Sequence, residues 1–310
     1  MDKARILVIK LSAFGDFVLA TGQMSAIRSH HPDAHIVLLT TEPYAAMGAA
    51  CPFVDEVWID TRPKLWNVPA WLALRTRLRS GNFTRIYDLQ TSDRTGFYYW
   101  LLGPGRRPEW SGIAGGCSHP HQNPNRDRMH AFDSRTEQLH DAGIAQVPPP
   151  DVSWLAGDVS GLGLEKRPYA LLVVGGAPHR PDKRWPADAF ADIGTRLSAR
   201  GIRPVLIGTD ADGEALAGVR AALANALDLS GKTDFAQLAT LARSAAIAIG
   251  NDTGPMHLIA AAGAPALVLF SGASDPALSA PRGKTVCILR RDPLTALGPD
   301  EVWTQIAEML

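Results

Sequence analysis

The chain has 310 residues, of which 46% are hydrophobic, and its 31 lysines and arginines balance 31 aspartates and glutamates. This is the composition of a folded protein large enough for two domains, and the balanced charge argues against a general nucleic-acid binder. Three widely spaced cysteines argue against a disulfide framework, and the lack of a secretory signal or a long apolar run predicts a cytoplasmic location.

Strand-like and helix-like patterns alternate along both halves of the chain, which is typical of parallel sheets covered by helices on both faces. In the first half we expect strands over 5–9, 35–40, 54–59 and 85–89, and helices over 17–30 and 43–50. In the second half we expect strands over 169–174, 204–208, 245–250 and 265–270, and helices over 187–200, 214–225 and 234–242.

A proline-rich connection, Val147-Pro-Pro-Pro-Asp151, separates the two series. The pattern therefore predicts an α/β protein with two doubly wound, Rossmann-like domains, residues 1–150 and 151–310, facing a central cleft. We expect the last helix to pack back on the first domain. Because ligands of such sheets bind beyond the carboxyl ends of the strands, the residues that follow each strand are the candidate site residues.

The first such stretch is Lys10-Leu-Ser-Ala-Phe-Gly-Asp16, which joins a strand to a helix expected to begin at about Phe17. The simpler interpretation of Asp16 is a helix N-cap, because short acidic side chains accept hydrogen bonds from the first amides of a helix. The functional alternative is a carboxylate that takes a proton from a substrate. General frequencies favour the cap, and the residues alone leave both interpretations open.

Two stretches of the second half suit a phosphate group. Gly250-Asn-Asp-Thr-Gly-Pro-Met-His257 follows a strand and opens a helix, where small residues and the positive end of the helix dipole favour an anion. Gly175-Gly-Ala-Pro-His-Arg-Pro-Asp-Lys-Arg-Trp185 follows another strand and carries three basic residues. A helix cap and a solvated basic loop explain each stretch taken singly. Together they favour a diphosphate ligand in the second domain.

Two other clusters carry weaker signals. Cys117, His119, His121 and His130 match no standard zinc spacing and lie in a region rich in glycine and proline, so we predict no metal site there. Residues 66–79 form a basic amphipathic segment that suits an anionic lipid surface, although a plain surface helix is the simpler interpretation.

The combination of motifs resembles one known family. Lys10–Asp16 and Gly250–His257 look like the two signature stretches of the ADP-heptose:lipopolysaccharide heptosyltransferases, glycosyltransferase family 9. Lys183-Arg-Trp-Pro186, Leu229-Ser-Gly-Lys-Thr233 and Ser271-Gly-Ala-Ser-Asp-Pro276 are also similar to that family and occur in the same order. The resemblance covers nearly the whole chain. It implies the GT-B fold, with the acceptor side in the first domain and the nucleotide-sugar side in the second.

The resemblance also implies roles for individual residues, of which the first is Asp16 as the catalytic base. The residues expected to bind the donor diphosphate are Ser12, Lys183, Thr253 and Gly254. Those expected to bind the donor sugar or nucleoside are Asp252, His257, Lys232 and Glu214, the last chosen over Asp210 and Asp212. Clustering of basic residues in the first domain suggests that an anionic acceptor contacts Lys10, Arg75 and Arg106.

The implied reaction is inverting transfer of a heptose-type sugar from an ADP-sugar donor to a hydroxyl of a lipopolysaccharide-core or related glycan. No metal ion or other cofactor is expected, because Lys183 and the amides near Thr253 can carry the charge of the leaving diphosphate. We expect a monomer that binds no nucleic acid and works at the inner face of the cytoplasmic membrane, with peripheral membrane contact.

Other functions make different predictions. A nicotinamide-dependent oxidoreductase would have Gly-X-Gly-X-X-Gly after the first strand, where this chain has Ser-Ala-Phe-Gly-Asp. A non-catalytic nucleotide-sugar-binding protein would keep the phosphate motifs and tolerate the loss of Asp16. Within the enzyme class, another nucleotide sugar or another glycan acceptor stays open.

Overall fold

The computed structural model describes residues 3–105, 107–176 and 180–310, and the chain divides into two compact units, Met1–Pro150 and Asp151–Leu310. Within the described ranges, none of the helices combines the length and the hydrophobicity that crossing a membrane requires.

The first unit is a parallel six-stranded sheet covered by helices. Its strands are Arg5–Ile9 (β1), His35–Thr40 (β2), Glu56–Ile59 (β3), Arg85–Asp88 (β4), Glu109–Gly112 (β5) and His119–Pro120 (β6). They lie in the order β3-β2-β1-β4-β5-β6, and each neighbouring pair is parallel. Its helices are Phe14–Leu19 (α1), Thr21–His30 (α2), Ala45–Ala50 (α3), Val68–Ser80 (α4), Asp93–Leu101 (α5) and Ala131–Asp141 (α6).

The second unit repeats this plan. Its strands are Tyr169–Val173 (β7), Arg203–Ile207 (β8), Leu227–Asp228 (β9), Ile247–Asn251 (β10), Ala266–Phe270 (β11) and Val286–Arg290 (β12). They lie in the order β12-β11-β10-β7-β8-β9, again with parallel pairs. Its helices are Ala187–Ala199 (α7), Gly213–Ala222 (α8), Phe235–Ser244 (α9), Gly254–Ala261 (α10), Pro276–Ser279 (α11) and Pro299–Met309 (α12).

The central strands are buried on both faces, which explains why they read as continuous apolar runs rather than as alternating patterns. In β1, Ile6 to Ile9 are buried, and in register Leu7 lies between Val37 of β2 and Ile86 of β4. The predicted α/β class with two doubly wound sheets is confirmed.

Some predicted boundaries are wrong. The single helix expected over 17–30 is two helices, α1 and α2, which meet at Ala20, and the first of them begins three residues earlier than expected.

The last helix, α12, packs against α7 and places Val302 and Ile306 in the core of the second unit.

In each sheet the strand order reverses between two central strands, β1 and β4 in the first and β7 and β10 in the second. Loops after such strands diverge to opposite faces and leave a crevice, which is where doubly wound sheets bind their ligands. The motif Lys10–Asp16 follows β1, and the motif Gly250–His257 begins with the last two residues of β10, so both occupy these positions.

Candidate active site

Asp16 lies in the first turn of α1, the helix that follows β1. The N-cap residue of α1 is Ala13, so the interpretation of Asp16 as the N-cap is wrong. About a third of the Asp16 side chain is exposed. Asp16 is therefore a first-turn residue whose carboxylate is partly exposed to solvent. It lies near the position where the strand order of the first sheet reverses.

The partner of Asp16 comes from α6, more than a hundred residues away. Arg135 Nη2 donates to Asp16 Oδ1 at 2.8 Å, and the Arg135 side chain is only 9% exposed. Its other nitrogens donate to the carbonyls of Leu89 and Ala131, at 3.0 and 3.2 Å. Because the guanidinium makes three hydrogen bonds, it is held in one orientation, and it orients the carboxylate as well as pairing with its charge.

Gln90, just after β4, holds the loop between β1 and α1. Its Oε1 accepts from the amides of Leu11 and Ser12, both at 3.0 Å, and from Lys10 Nζ at 3.2 Å. The same ammonium donates to the Ser12 carbonyl at 2.7 Å. The side chain of Lys10 is thus committed to this loop, and it is fully buried. This placement does not favour the predicted contact between Lys10 and an acceptor.

Burial and charge perturb two titratable groups beside this loop. Burial, helped by the charge of Arg135, lowers the pKa of Lys10 to about 7, although Asp16 and Asp88 act in the opposite direction. Burial also raises the pKa of Asp88 to about 6, against hydrogen bonds from Thr91 and others that favour the ionised form. Strongly shifted groups next to a candidate base are typical of functional sites.

Two other predicted residues of the first unit have partners within it. Ser12 Oγ accepts from Arg62 Nη2 at 2.5 Å, so a cation lies beside the hydroxyl that was predicted to meet a diphosphate. Arg75, on α4, donates through Nε to the Leu101 carbonyl at 3.1 Å. Arg106, the third predicted acceptor residue, lies outside the described residues.

In the second unit, Lys183 and Asp252 come together as a pair. Lys183 follows β7 and ends a short 3-10 turn, while Asp252 follows β10 directly. Their side chains meet at 2.7 Å, and Ser274 Oγ donates to the same carboxylate oxygen at 2.7 Å. The resemblance implied that Lys183 binds the diphosphate and Asp252 the sugar. In the structure the two side chains are in direct contact, near the position where the strand order of the second sheet reverses.

Asn251, the buried last residue of β10, ties the two loops together. Its Oδ1 accepts from the Trp185 amide at 2.9 Å, and its Nδ2 donates to the carbonyls of Val174 and Gly175 at 2.8 and 3.1 Å. Gly250 next to it serves packing, since a Cβ there would lie 2.6 Å from the Cβ of Val173. Its small size is therefore required by the packing of β10 against β7.

Thr253 is the N-cap residue of α10, but its side chain makes no cap hydrogen bond. Its hydroxyl donates back to the Asn251 carbonyl at 3.3 Å instead. Because Gly254 is the first helical residue and Pro255 has no amide hydrogen, the amides of Thr253 and Gly254 are the donors at this positive helix end. His257, one turn further on, is buried on α10.

Among the three acids considered for the ribose, Asp212 has a structural role. Its carboxylate accepts from the amides of Gly176 and Thr209, at 3.1 and 2.9 Å, and from the Thr209 hydroxyl. Asp212 thus holds the loop after β7 in place. Glu214 is exposed in the first turn of α8 and stays the prediction.

Lys232, predicted to bind the donor, is exposed and donates through Nζ to the Asp228 carbonyl at 2.9 Å.

No group of three or more His, Cys, Asp or Glu side chains that could hold a metal ion occurs within the described ranges. His119 and His121 instead approach different carboxylates, Glu109 at 3.8 Å and Glu137 at 3.5 Å.

Comparisons with known proteins bear on the family and the fold. The model of the family described as glycosyltransferase family 9 (heptosyltransferase) matches residues 71–297. Lipopolysaccharide heptosyltransferase 2 of Escherichia coli K12 is 25% identical over 306 residues, covering 92% of this chain and 88% of that protein.

Two solved structures are similar over nearly their full length. The glycosyl transferase family 9 protein from Veillonella parvula has a TM-score of 0.84 at 20% identity, with 99% of this chain and 97% of that chain covered. An Escherichia coli heptosyltransferase solved with ADP-2-deoxy-2-fluoro heptose has a TM-score of 0.76 at 20% identity, with 99% and 100% covered. At this level of identity the likeness shows the fold, which is that of GT-B heptosyltransferases.

Proposed function

The chain belongs to glycosyltransferase family 9, and on that premise we propose that it transfers a heptose-type sugar from an ADP-sugar to a hydroxyl of a lipopolysaccharide-core or related glycan. The observation that carries the proposal is the family match over 71–297, which includes the paired Lys183 and Asp252. The donor is inferred from the similar structure that holds an ADP-heptose analogue, and the acceptor from the name of the Escherichia coli relative.

The donor part of the proposal is supported by the groups after β7 and β10. Lys183 supplies a cation, and the amides of Thr253 and Gly254 supply donors at the positive end of α10. Such groups bind a diphosphate and stabilise it further as it leaves with full negative charge. The proposed transfer therefore needs no metal ion for the leaving group. Glu214 and Lys232 are proposed to contact the nucleoside, and Asp252 and His257 the sugar.

The chemical step proposed is a single displacement with inversion. The acceptor hydroxyl oxygen forms the new bond to the anomeric carbon as the bond from that carbon to the diphosphate oxygen breaks. Asp16 accepts the hydroxyl proton, and ADP leaves with the bonding electron pair. The arginine that holds Asp16 supports this role, because Arg135 keeps the carboxylate in one orientation.

The acceptor part of the proposal places the enzyme at the inner face of the cytoplasmic membrane as a monomer with peripheral contact. Arg75 is proposed to contact phosphate groups of the acceptor, a role compatible with its position on the basic helix α4.

A direct assay tests this function. The purified protein is incubated with ADP-heptose and a deacylated core oligosaccharide, and the product is identified by mass, with its anomeric configuration read by NMR. Transfer with inversion supports the proposal, and retention contradicts the single displacement. Titration with ADP, UDP, GDP and NAD is the companion measurement. Tighter binding of UDP or GDP than of ADP would contradict the donor, and tight NAD binding would contradict the reaction class.

A further inference from the structure

An exposed apolar surface lies on the first unit, on elements that include the helix carrying Arg75. Seven large hydrophobic side chains of the described residues are well exposed, and six of them lie between residues 65 and 100. They are Leu65, Trp66, Val68, Leu72, Phe97 and Trp100, which we call the aromatic surface. Leu65 is 83% exposed and Trp66 is 77% exposed, values at which neither side chain contributes to the core.

The aromatic surface is built on two neighbouring helices, α4 and α5, and on the segment before α4 that carries Leu65 and Trp66. This segment is tied to α4 because Trp71 Nε1 donates to the Lys64 carbonyl at 3.1 Å. The ring of Trp71 on α4 lies 5.2 Å from that of Phe97 on α5, and Arg75 of α4 donates to the Leu101 carbonyl of α5. On each helix the exposed members share one face, because Val68 and Leu72 are four residues apart and Phe97 and Trp100 are three apart.

Cations accompany these aromatic rings. The Lys64 ammonium lies 5.4 Å from the Trp66 ring, and the Arg107 guanidinium lies 5.5 Å from the Trp100 ring. Residues 61–107 carry nine lysines and arginines against two aspartates, of which Asp88 is buried. In a chain of zero net charge this is a strong local excess.

We propose that the aromatic surface docks on an anionic lipid bilayer, with Leu65 and Trp66 entering the interface and the surrounding cations meeting lipid headgroups. Tryptophan and aliphatic side chains beside lysine and arginine are the combination that binds such interfaces. A second copy of the same surface is disfavoured, because a symmetric contact would bring two sets of unbalanced cations together. The proposal deepens the proposed function, since it rests on that function for the view that the acceptor is a glycolipid.

The test is co-sedimentation of the full chain with vesicles, without donor or acceptor. One set of vesicles contains equal parts of phosphatidylglycerol and phosphatidylcholine, and the other contains phosphatidylcholine alone. We expect binding to the anionic vesicles only, weakened about tenfold or more by Leu65→Ser with Trp66→Ala, and weakened also by Lys64→Glu. The matched controls are Leu310→Ser and Lys166→Glu, exposed residues of the second unit, which should bind as wild type.

Several outcomes overturn the proposal. These are failure of the wild type to bind anionic vesicles, unchanged binding by the double variant, equal binding to neutral vesicles, or a dimer that the double variant converts to a monomer. Transfer to a deacylated, water-soluble acceptor separates this proposal from the proposed function. If wild type and double variant transfer equally to that acceptor while only the wild type binds vesicles, the surface is a membrane contact. If the double variant loses transfer and keeps vesicle binding, the segment is an acceptor site and the proposal is overturned. If the wild type binds vesicles and transfers nothing, the proposed function alone fails.

Discussion

Arg135 Nη2 lies 2.8 Å from Asp16 Oδ1, and the same guanidinium is anchored by the carbonyls of Leu89 and Ala131. The arginine therefore does more than neutralise the carboxylate. It links the start of α1 to the loop after β4 and to α6, the elements that form the switch point of the first sheet. A base held in this way keeps its orientation when no acceptor is bound, which lowers the cost of reaching the reactive geometry.

Replacing the proposed base separates chemistry from donor binding. We expect Asp16→Asn to lower the rate of transfer by about 100-fold to 10,000-fold, because an amide cannot accept the acceptor's proton. Binding of ADP should be unchanged, since the proposed diphosphate groups belong to the second unit. Steady-state transfer and calorimetric titration of ADP measure the two effects. A variant that keeps a tenth of the wild-type rate would show that another group is the base.

Arg135 is predicted to act through Asp16 as a positioning residue. Arg135→Ala should lower kcat by about tenfold to 100-fold with little change in donor KM, because the carboxylate loses its fixed orientation. Arg135→Lys should restore part of the rate, since one ammonium can reach the carboxylate but not the two carbonyls as well. Arg128→Ala, an exposed arginine before the same helix, is the control. A purely structural role would lower the melting temperature and leave the kcat of the folded enzyme unchanged.

The sequence predicted the sheets well because their strands are covered on both faces. Residues 6–9 of β1 and all of β11 are apolar, which is the pattern expected of a strand buried on both faces. Four strands, β5, β6, β9 and β12, were not predicted. β6 and β9 have two residues each, too few to carry a pattern, and β5 has Trp110 as its one large apolar residue. The break between α1 and α2 at Ala20 carries no glycine or proline signal and was missed for that reason.

The candidate site was predictable only where its residues belong to one local motif. Asp16, Lys183 and Asp252 each follow a strand, so the topology rule located them. Arg135, Gln90 and Asn251 organise the same loops through bonds between residues 66 to 119 positions apart. Such contacts depend on how α6, β4 and β10 are placed in the sheet, and a single sequence gives no periodic signal for them.

The buried Lys10 predicts a pH dependence of stability. Its pKa is about 7 in the folded protein against 10.5 for the ordinary side chain, so between these values the unfolded chain binds more protons. The contribution of Lys10 is thus most unfavourable at or below pH 7, and the free energy of unfolding rises with pH above it, by at most about 1.4 kcal/mol per pH unit. Asp88 titrates below this window and does not disturb it.

Denaturant unfolding of wild type and Lys10→Met at pH 7 and pH 9.5, two values chosen at roughly the ends of the usable window, measures this effect. The wild type should gain stability relative to the variant as pH rises. Parallel pH dependence of the two proteins would show that the ammonium of Lys10 is not destabilised by its burial.

Asn251 is predicted to support both stability and donor binding. Asn251→Ala leaves the Trp185 amide and the carbonyls of Val174 and Gly175 buried without these hydrogen bonds, which should lower the free energy of unfolding by about 1 to 3 kcal/mol. Because the loops after β7 and β10 lose their link, the Kd for ADP should also rise. Asn225→Ala, which removes an exposed hydrogen bond to Ser198, is the matched control and should change neither quantity. Loss of stability with unchanged ADP affinity would contradict the link between the loops and the donor.

The pair of Lys183 and Asp252 gives the sharpest test of the donor site, because replacing the lysine should weaken ADP binding and replacing the aspartate should not. Lys183→Ala removes a charge-assisted hydrogen bond to the diphosphate and should raise the Kd for ADP by about 10-fold to 100-fold. Asp252→Asn removes a carboxylate 2.7 Å from that lysine, so it should not weaken ADP binding, since a negative charge beside a diphosphate is unfavourable. The same variant should lower transfer, because Asp252 is proposed to contact the sugar. Lys166→Ala is the control. If both variants weaken ADP binding equally, Asp252 serves to position the lysine, and its proposed contact with the sugar is contradicted.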